Sequence, residues 1–245
     1  MSQVRPDQPA FVLVHGAFHG GWCWGPVARR LCAAGAQVLT PTCTGLGERA
    51  HLLSPTVGLS TFIADVSAAI TCEELSGAIL VGHSFGGAVA AGVVDARPEL
   101  ARALIFLDAL LLQDGQCALD ALDAGTRAAR ERDAAARGGL CAAPPGPAAF
   151  GVPPGPAHEW LARRMTPQPF AAMTEPIRLR RAIGGGRPCA YIACDAPAYP
   201  GVAASHRWAR ERPDWRFHRL SAGHEAMVTA PDAVASLLMT IAGAF

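Results

Sequence analysis

Ala78-Ile-Leu-Val-Gly82-His83-Ser84-Phe85-Gly86-Gly87-Ala-Val-Ala-Ala-Gly92 decides the fold of this chain. Four apolar residues read as a buried strand, and the Ala/Val run that follows suits a helix packed on a sheet. Between them Gly82, Ser84 and Gly86 form a G-x-S-x-G corner. On a tight strand-to-helix turn the serine takes a strained backbone conformation with its Oγ lifted above the sheet edge. Glycines two before and two after are required because a Cβ there collides with the neighbouring strand and helix. The Phe85 amide, at the start of the helix, then points at whatever Ser84 attacks.

Upstream, Ala10-Phe-Val-Leu-Val14 is a short buried strand ending in His15-Gly16-Ala17-Phe18-His19-Gly20-Gly21-Trp22-Cys23-Trp24. His-Gly after a strand, followed by Gly-Gly, matches the second half of an oxyanion hole, so the paired donors are expected to be the Ala17 and Phe85 amides. Phe18 and His19 are expected in a substrate pocket with Trp22, and Trp24 in the core. Helical spacing follows from Pro26 to Ala34 and from Leu59 to Thr71, with a strand at Gln37–Thr40 between them. Further strands are expected at Ala103–Leu107, which carries Asp108, at Cys189–Cys194, which carries Asp195, and at Trp215–Leu220, which leads to Gly223-His224-Glu225. A helix from Asp232 to Ala242, opened by Pro231, ends the chain. This alternation predicts an α/β protein with a mostly parallel central sheet covered by helices on both faces. Residues 113–187 break the rhythm with a polar helix near Leu119–Arg137 and a Pro/Gly-rich tract. They are expected to form a small cap insertion on a core made of residues 1–112 and 188–245, all within one structural domain.

The composition fits an ordinary enzyme. Of 245 residues 51% are apolar and 17% charged, with a net charge of +1, so there is no basic face for nucleic acid. No run approaches a membrane span, and the polar start of the chain lacks a signal-type apolar segment, which points to the cytoplasm. The eight cysteines show no C-x-x-C or Cys/His pairing; they read as small buried hydrophobes, and neither a metal site nor a cofactor is expected.

Ser84, then Asp108 or Asp195, then His224 each fall at or just beyond the carboxyl end of an expected strand, where ligand-facing loops gather in open α/β sheets. A serine hydroxyl is a poor nucleophile until a histidine takes its proton and a buried carboxylate orients that histidine. His83 is the next histidine most expected to touch the site. His51, His158, His206 and His218 read as solvent or packing residues.

The stretches F-V-L-V-H-G-A-F-H-G-G-W-C-W, T-G-L-G-E-R, V-G-H-S-F-G-G and A-G-H-E-A-M resemble the α/β-hydrolase superfamily. Within it the chain is most similar to small carboxylesterases related to plant methylesterases and hydroxynitrile lyases, closest to the bacterial members. The resemblance implies a cofactor-free hydrolase with Ser84 as nucleophile, His224 as base and the Ala17 and Phe85 amides as oxyanion donors. The acid is left between two places. In the plant enzymes it follows the strand matching Cys189–Cys194, where Pro197 stands here and Asp195 lies two earlier. Bacterial relatives keep Leu-Asp-Ala after the preceding strand, here Leu107-Asp108-Ala109. Asp108 is therefore the expected acid, with Asp195 as the alternative.

Hydroxynitrile lyases of the group carry a threonine where Gly16 stands and a lysine where Glu225 stands, so the resemblance favours hydrolysis over cyanogenic cleavage. The expected substrate is a small hydrophobic ester or lactone, its apolar part meeting Phe18, Trp22, Phe85 and cap residues such as Trp160, Leu161, Met165 and Phe170. Two other functions remain open on the sequence. One is a tailoring enzyme using the same triad for cyclisation, acyl transfer or C–C cleavage; the other is a non-catalytic small-molecule receptor. Oligomeric state is open, a homodimer included.

Overall fold

The computed structural model describes residues 8–245, so the first seven residues of the polar N-terminal stretch lie outside it. Six strands form one sheet: β1 (Ala10–Val14), β2 (Gln37–Leu39), β3 (Ala78–His83), β4 (Ala101–Leu107), β7 (Cys189–Cys194) and β8 (Trp215–Leu220), in the order β2-β1-β3-β4-β7-β8. Every neighbouring pair is parallel. Two short strands between β4 and β7, β5 (Cys141–Ala142) and β6 (Gln168–Pro169), pair antiparallel in a separate ribbon.

Alternate residues of each strand feed two cores, as a period of two requires. On one face Val12, Leu80, Leu104 and Phe106 pack with α2 (Leu59–Cys72), α3 (Gly86–Ala96) and α7 (Ala203–Arg210). On the other, Leu13, Val81, Ile105 and Ile192 meet α1 (Gly25–Ala33), α8 (Ala226–Thr229) and α9 (Pro231–Ala242), with Trp24 fully buried among them. The expected helices and strands are present to within a few residues. The polar helix near 119–137 is shorter: a 3-10 turn over Ala118–Ala121 precedes α4 (Ala124–Ala136), because Asp123 caps the helix by accepting from the Thr126 amide. Two shorter helices, α5 (Pro156–Ala162) and α6 (Phe170–Thr174), complete the 113–187 segment. Helix α7, between β7 and β8, has no counterpart in the sequence reading.

The chain runs from β1 to β2 on one side and then to β3 on the other, which makes the β1/β3 boundary a topological switch point. The loops at the carboxyl ends of β1 and β3 leave the sheet in opposite directions there and open a crevice. Ser84 occupies that crevice. Its φ of +50° lies in the left-handed region, as do Phe18 at +68° and Asp108 at +43°. Of four such non-glycine residues among those described, three surround one point, where strain is characteristic of functional turns.

The close packing of this corner explains its glycines. A Cβ on Gly86 would stand 2.5 Å from the Val14 carbonyl oxygen and 2.6 Å from that of His15, and one on Gly82 would stand 2.5 Å from the Gly86 oxygen. These are backbone atoms at the end of β1 and the start of α3 and cannot rotate aside. Gly86→Ala should therefore cost about 1–3 kcal/mol of stability, as overpacked cores do. Urea unfolding checks this, and an unchanged midpoint would show that β1 and α3 are free to separate.

Candidate active site

Ser84 Oγ lies 3.1 Å from His224 Nε2, and His224 Nδ1 lies 2.6 Å from Asp108 Oδ2. The carboxylate only accepts, so Nδ1 carries a proton and Nε2 is the nitrogen turned to the serine hydroxyl, placed to take its proton. Three elements set this geometry. Ser84 is fixed by its own carbonyl, which accepts from the Leu110 amide (2.8 Å) and the Gly87 amide (3.0 Å). Asp108 leaves β4 with its amide donating to the Ile192 carbonyl at 2.8 Å. His224 follows β8, and its carbonyl accepts from His83 Nε2 at 2.9 Å.

Asp108 is fully buried, and both of its carboxylate oxygens accept hydrogen bonds. Besides His224, its Oδ1 accepts from the Cys194 amide (2.9 Å) and from His206 Nε2 (2.6 Å). Burial pushes this carboxyl upward, but the bonds from His206 and His224, the charge on His224 and the Cys194 amide outweigh it and hold the pKa at about 2. Asp195 is placed elsewhere. It accepts from Arg219 Nε at 2.7 Å in an exposed pair, and no hydrogen bond joins it to His224.

The two expected amide donors flank the serine. Ala17 and Phe85 both border the cavity at Ser84, and among the described residues neither amide donates to a protein acceptor. The next amide, Phe18, does donate, to Gln168 Oε1 at 2.9 Å, while the Phe18 carbonyl accepts from Thr166 at 2.9 Å. The 166–168 segment thus clamps the β1 loop one residue past Ala17. Below it, His15 donates from Nδ1 to the Gly16 carbonyl and accepts at Nε2 from the Cys43 amide. Burial lowers its pKa to about 4, so it holds the loop as a neutral ring.

The cavity, about 80 Å³, is walled by Phe18, Leu110, Ala118, Leu122, Phe150, Met173 and Val202, with Thr126, Arg130 and Tyr199 as its polar residues besides Ser84. Phe18 and Phe85 border the cavity; His19, Trp22, His83, Trp160, Leu161, Met165 and Phe170, the other residues expected to meet substrate, do not line it. His19 is buried with Nδ1 donating to the Ala17 carbonyl (2.7 Å) and its ring beside Trp22. Trp22 in turn meets Trp160 edge to face at 5.0 Å. His83 is turned beneath His224, and burial, reinforced by the neighbouring His224 and His19, depresses its pKa well below the usual histidine value. Leu161 is fully buried, and Phe170 packs with Cys117 and Leu119. In an irregular segment no periodicity shows which way a side chain faces, so Trp160 and its neighbours were not separable from Phe150 and Met173 by sequence.

His206 is the residue whose place differs most from expectation. Read as a solvent or packing residue, it bonds the same carboxylate as His224. Its helix has few fully buried positions, Ser205 and Ala209, and nothing in the sequence marks its histidine as turned toward the site.

His83, His224 and Glu225 form the one metal-type cluster among the described residues, their ligand atoms within 4.8 Å of one another. Both nitrogens of His224 are already engaged by Ser84 and Asp108, and His83 Nε2 by a carbonyl, so the trio offers no free set of three donors.

A parallel sheet ending in a strained serine corner, with a histidine and an acid brought in from later strands, defines the α/β-hydrolase class. The chain belongs to the alpha/beta hydrolase family, whose profile matches residues 11–237. It is 37% identical over 245 residues to a carbendazim hydrolyzing esterase of Nocardioides sp. (strain SG-4G), an alignment covering 94% of this chain and 98% of that one. It is 34% identical over 125 residues to methylesterase 2 of Arabidopsis thaliana, covering 45% and 43% of the two chains. Among solved structures, an extracellular α/β-hydrolase from a Paenibacillus species superposes with a TM-score of 0.80 at 24% identity, over 95% of this chain and 98% of that one. That structure is described as homologous to tobacco salicylic acid binding protein 2. No helix among the described residues is long and apolar enough to cross a membrane.

Proposed function

We propose that this protein is a carboxylic-ester hydrolase that works through an acyl-enzyme on Ser84. The observation that carries the reading is the continuous hydrogen-bonded line Ser84–His224–Asp108, with an imidazole nitrogen facing the hydroxyl. The name of the Nocardioides relative, an esterase, supports it.

In this reading Ser84 Oγ attacks the ester carbonyl while His224 Nε2 takes its proton. The ionised, buried Asp108 stabilises the imidazolium and keeps the ring from turning. The carbonyl oxygen becomes an oxyanion bound by the Ala17 and Phe85 amides, each such donor contributing on the order of 3 kcal/mol to the transition state. Collapse expels the alcohol, which His224 protonates, and a water activated by the same histidine then releases the acid. The compact, largely apolar cavity favours a small hydrophobic ester or lactone.

Rapid-mixing kinetics with p-nitrophenyl acetate, butyrate and decanoate test this. The expected result is a burst of one nitrophenol per chain on the short esters, with turnover falling steeply at the decanoate. Absence of turnover on all three would overturn the ester assignment, and turnover without a covalent intermediate would overturn the mechanism.

A further inference from the structure

Asp108 carries two imidazoles, and only one of them leads to the serine. A carboxylate on a buried strand end can rotate about its Cβ–Cγ bond, and only its partners prevent that. Oδ2 has the single partner His224, whereas Oδ1 is held by His206 Nε2 at 2.6 Å and by the Cys194 amide at 2.9 Å. His206 is itself well anchored. Its ring stands edge-on to Tyr191 at 5.5 Å, and the preceding Ser205 Oγ accepts from the Leu111 amide at 3.0 Å. Tyr191 donates its hydroxyl to the Ala109 carbonyl at 2.7 Å. Helix α7 is thus tied to the segment just past Asp108 by contacts that do not involve the carboxylate. These hold the His206 ring rigid and give its N–H a fixed direction.

Resting on the ester-hydrolase reading, we propose that His206 is a positioning residue for the reaction. Its Nε2–H pins Asp108 Oδ1 so that Oδ2 stays in line with His224 Nδ1. His206 makes no hydrogen bond to Ser84 and is not among the residues lining the cavity. Its effect is therefore on kcat, through the alignment of His224, and not on substrate affinity. Misplacing a catalytic group by about 1 Å costs on the order of 100-fold, and loss of an orienting partner commonly costs about 10–100-fold.

The test compares His206→Gln with His206→Asn. Both are neutral amides, but only the longer side chain brings an N–H to the place of Nε2. On p-nitrophenyl butyrate, His206→Asn should lose about 10–100-fold in kcat with KM within about twofold of wild type, while His206→Gln stays within about threefold in kcat. The low-field proton resonance of the His224–Asp108 hydrogen bond gives a second readout that needs no turnover. It should persist in wild type and His206→Gln, and shift or exchange away in His206→Asn. Equal kcat and an unchanged resonance in the two variants would overturn the proposal. So would equal losses that track thermal stability, since that is what packing alone predicts. A resonance that responds as described in a protein that cleaves no ester would sink the hydrolase reading and leave the positioning role standing.

Discussion

Asp108→Asn should lower kcat on a short p-nitrophenyl ester by on the order of 10⁴-fold while leaving the fold intact. The reason is specific to this site. Oδ1 receives two donors, the Cys194 amide and His206 Nε2, so the oxygen of an asparagine is drawn to that side. Its NH2 group then faces His224 Nδ1, which must accept. The imidazole proton moves to Nε2, and the ring can no longer take a proton from Ser84. Asp195→Asn provides the contrast. That carboxylate pairs with exposed Arg219 and reaches no part of the site, so its removal should leave kcat within about twofold, as expected of an exposed ion pair. The two variants are compared by steady-state kinetics, with circular dichroism to establish that both are folded. Full turnover in Asp108→Asn, or a collapse in Asp195→Asn, would reverse the assignment of the acid.

Ser84→Ala should be more severe, with kcat falling by about 10⁴–10⁶-fold to the level that oxyanion binding alone sustains. The substitution keeps the Cβ and removes one oxygen, so the positive-φ turn, held by the Leu110 and Gly87 amides on the Ser84 carbonyl, has no reason to change. Binding of a slow ester should therefore survive the loss of turnover. Comparing KM or inhibition constants with kcat in this variant separates a missing nucleophile from a collapsed pocket.

Much of this arrangement is legible in the sequence, and the parts that are not share a cause. The G-x-S-x-G corner is legible because only glycine fits between β1, β3 and α3, so steric necessity leaves a mark in the sequence. The sheet is legible because strands buried on both faces read as continuous apolar runs. His224 stood out as the histidine after the last strand. The choice between Asp108 and Asp195 was different, because both lie just past strand ends and register decides between them. Leu107 pairs with Ile192, which sets Asp108 beside the β7 end, within reach of both Cys194 and the histidine loop. Asp195 continues outward beside β8 and meets Arg219. No local pattern encodes that difference. Helix α7 is hard to read for a related reason: its fully buried positions, Ser205 and Ala209, are small, and two of its eight residues are arginines, so no run of large apolar residues marks it. His206 was missed with it. In residues 113–187 the turns and short elements share no period, and side chains expected at the cavity, such as Trp160, pack behind it while Phe150 and Met173 line it.

One measurement bears on the whole account: treat the protein with a small organophosphate ester reagent, measure the intact mass, and map the adduct by peptide fragmentation. A single adduct per chain on Ser84, formed in step with loss of ester turnover and absent from Ser84→Ala, is the predicted result. Turnover that persists after Ser84 is fully modified, or an adduct on another side chain that abolishes it, would contradict the claim that this hydroxyl is the nucleophile.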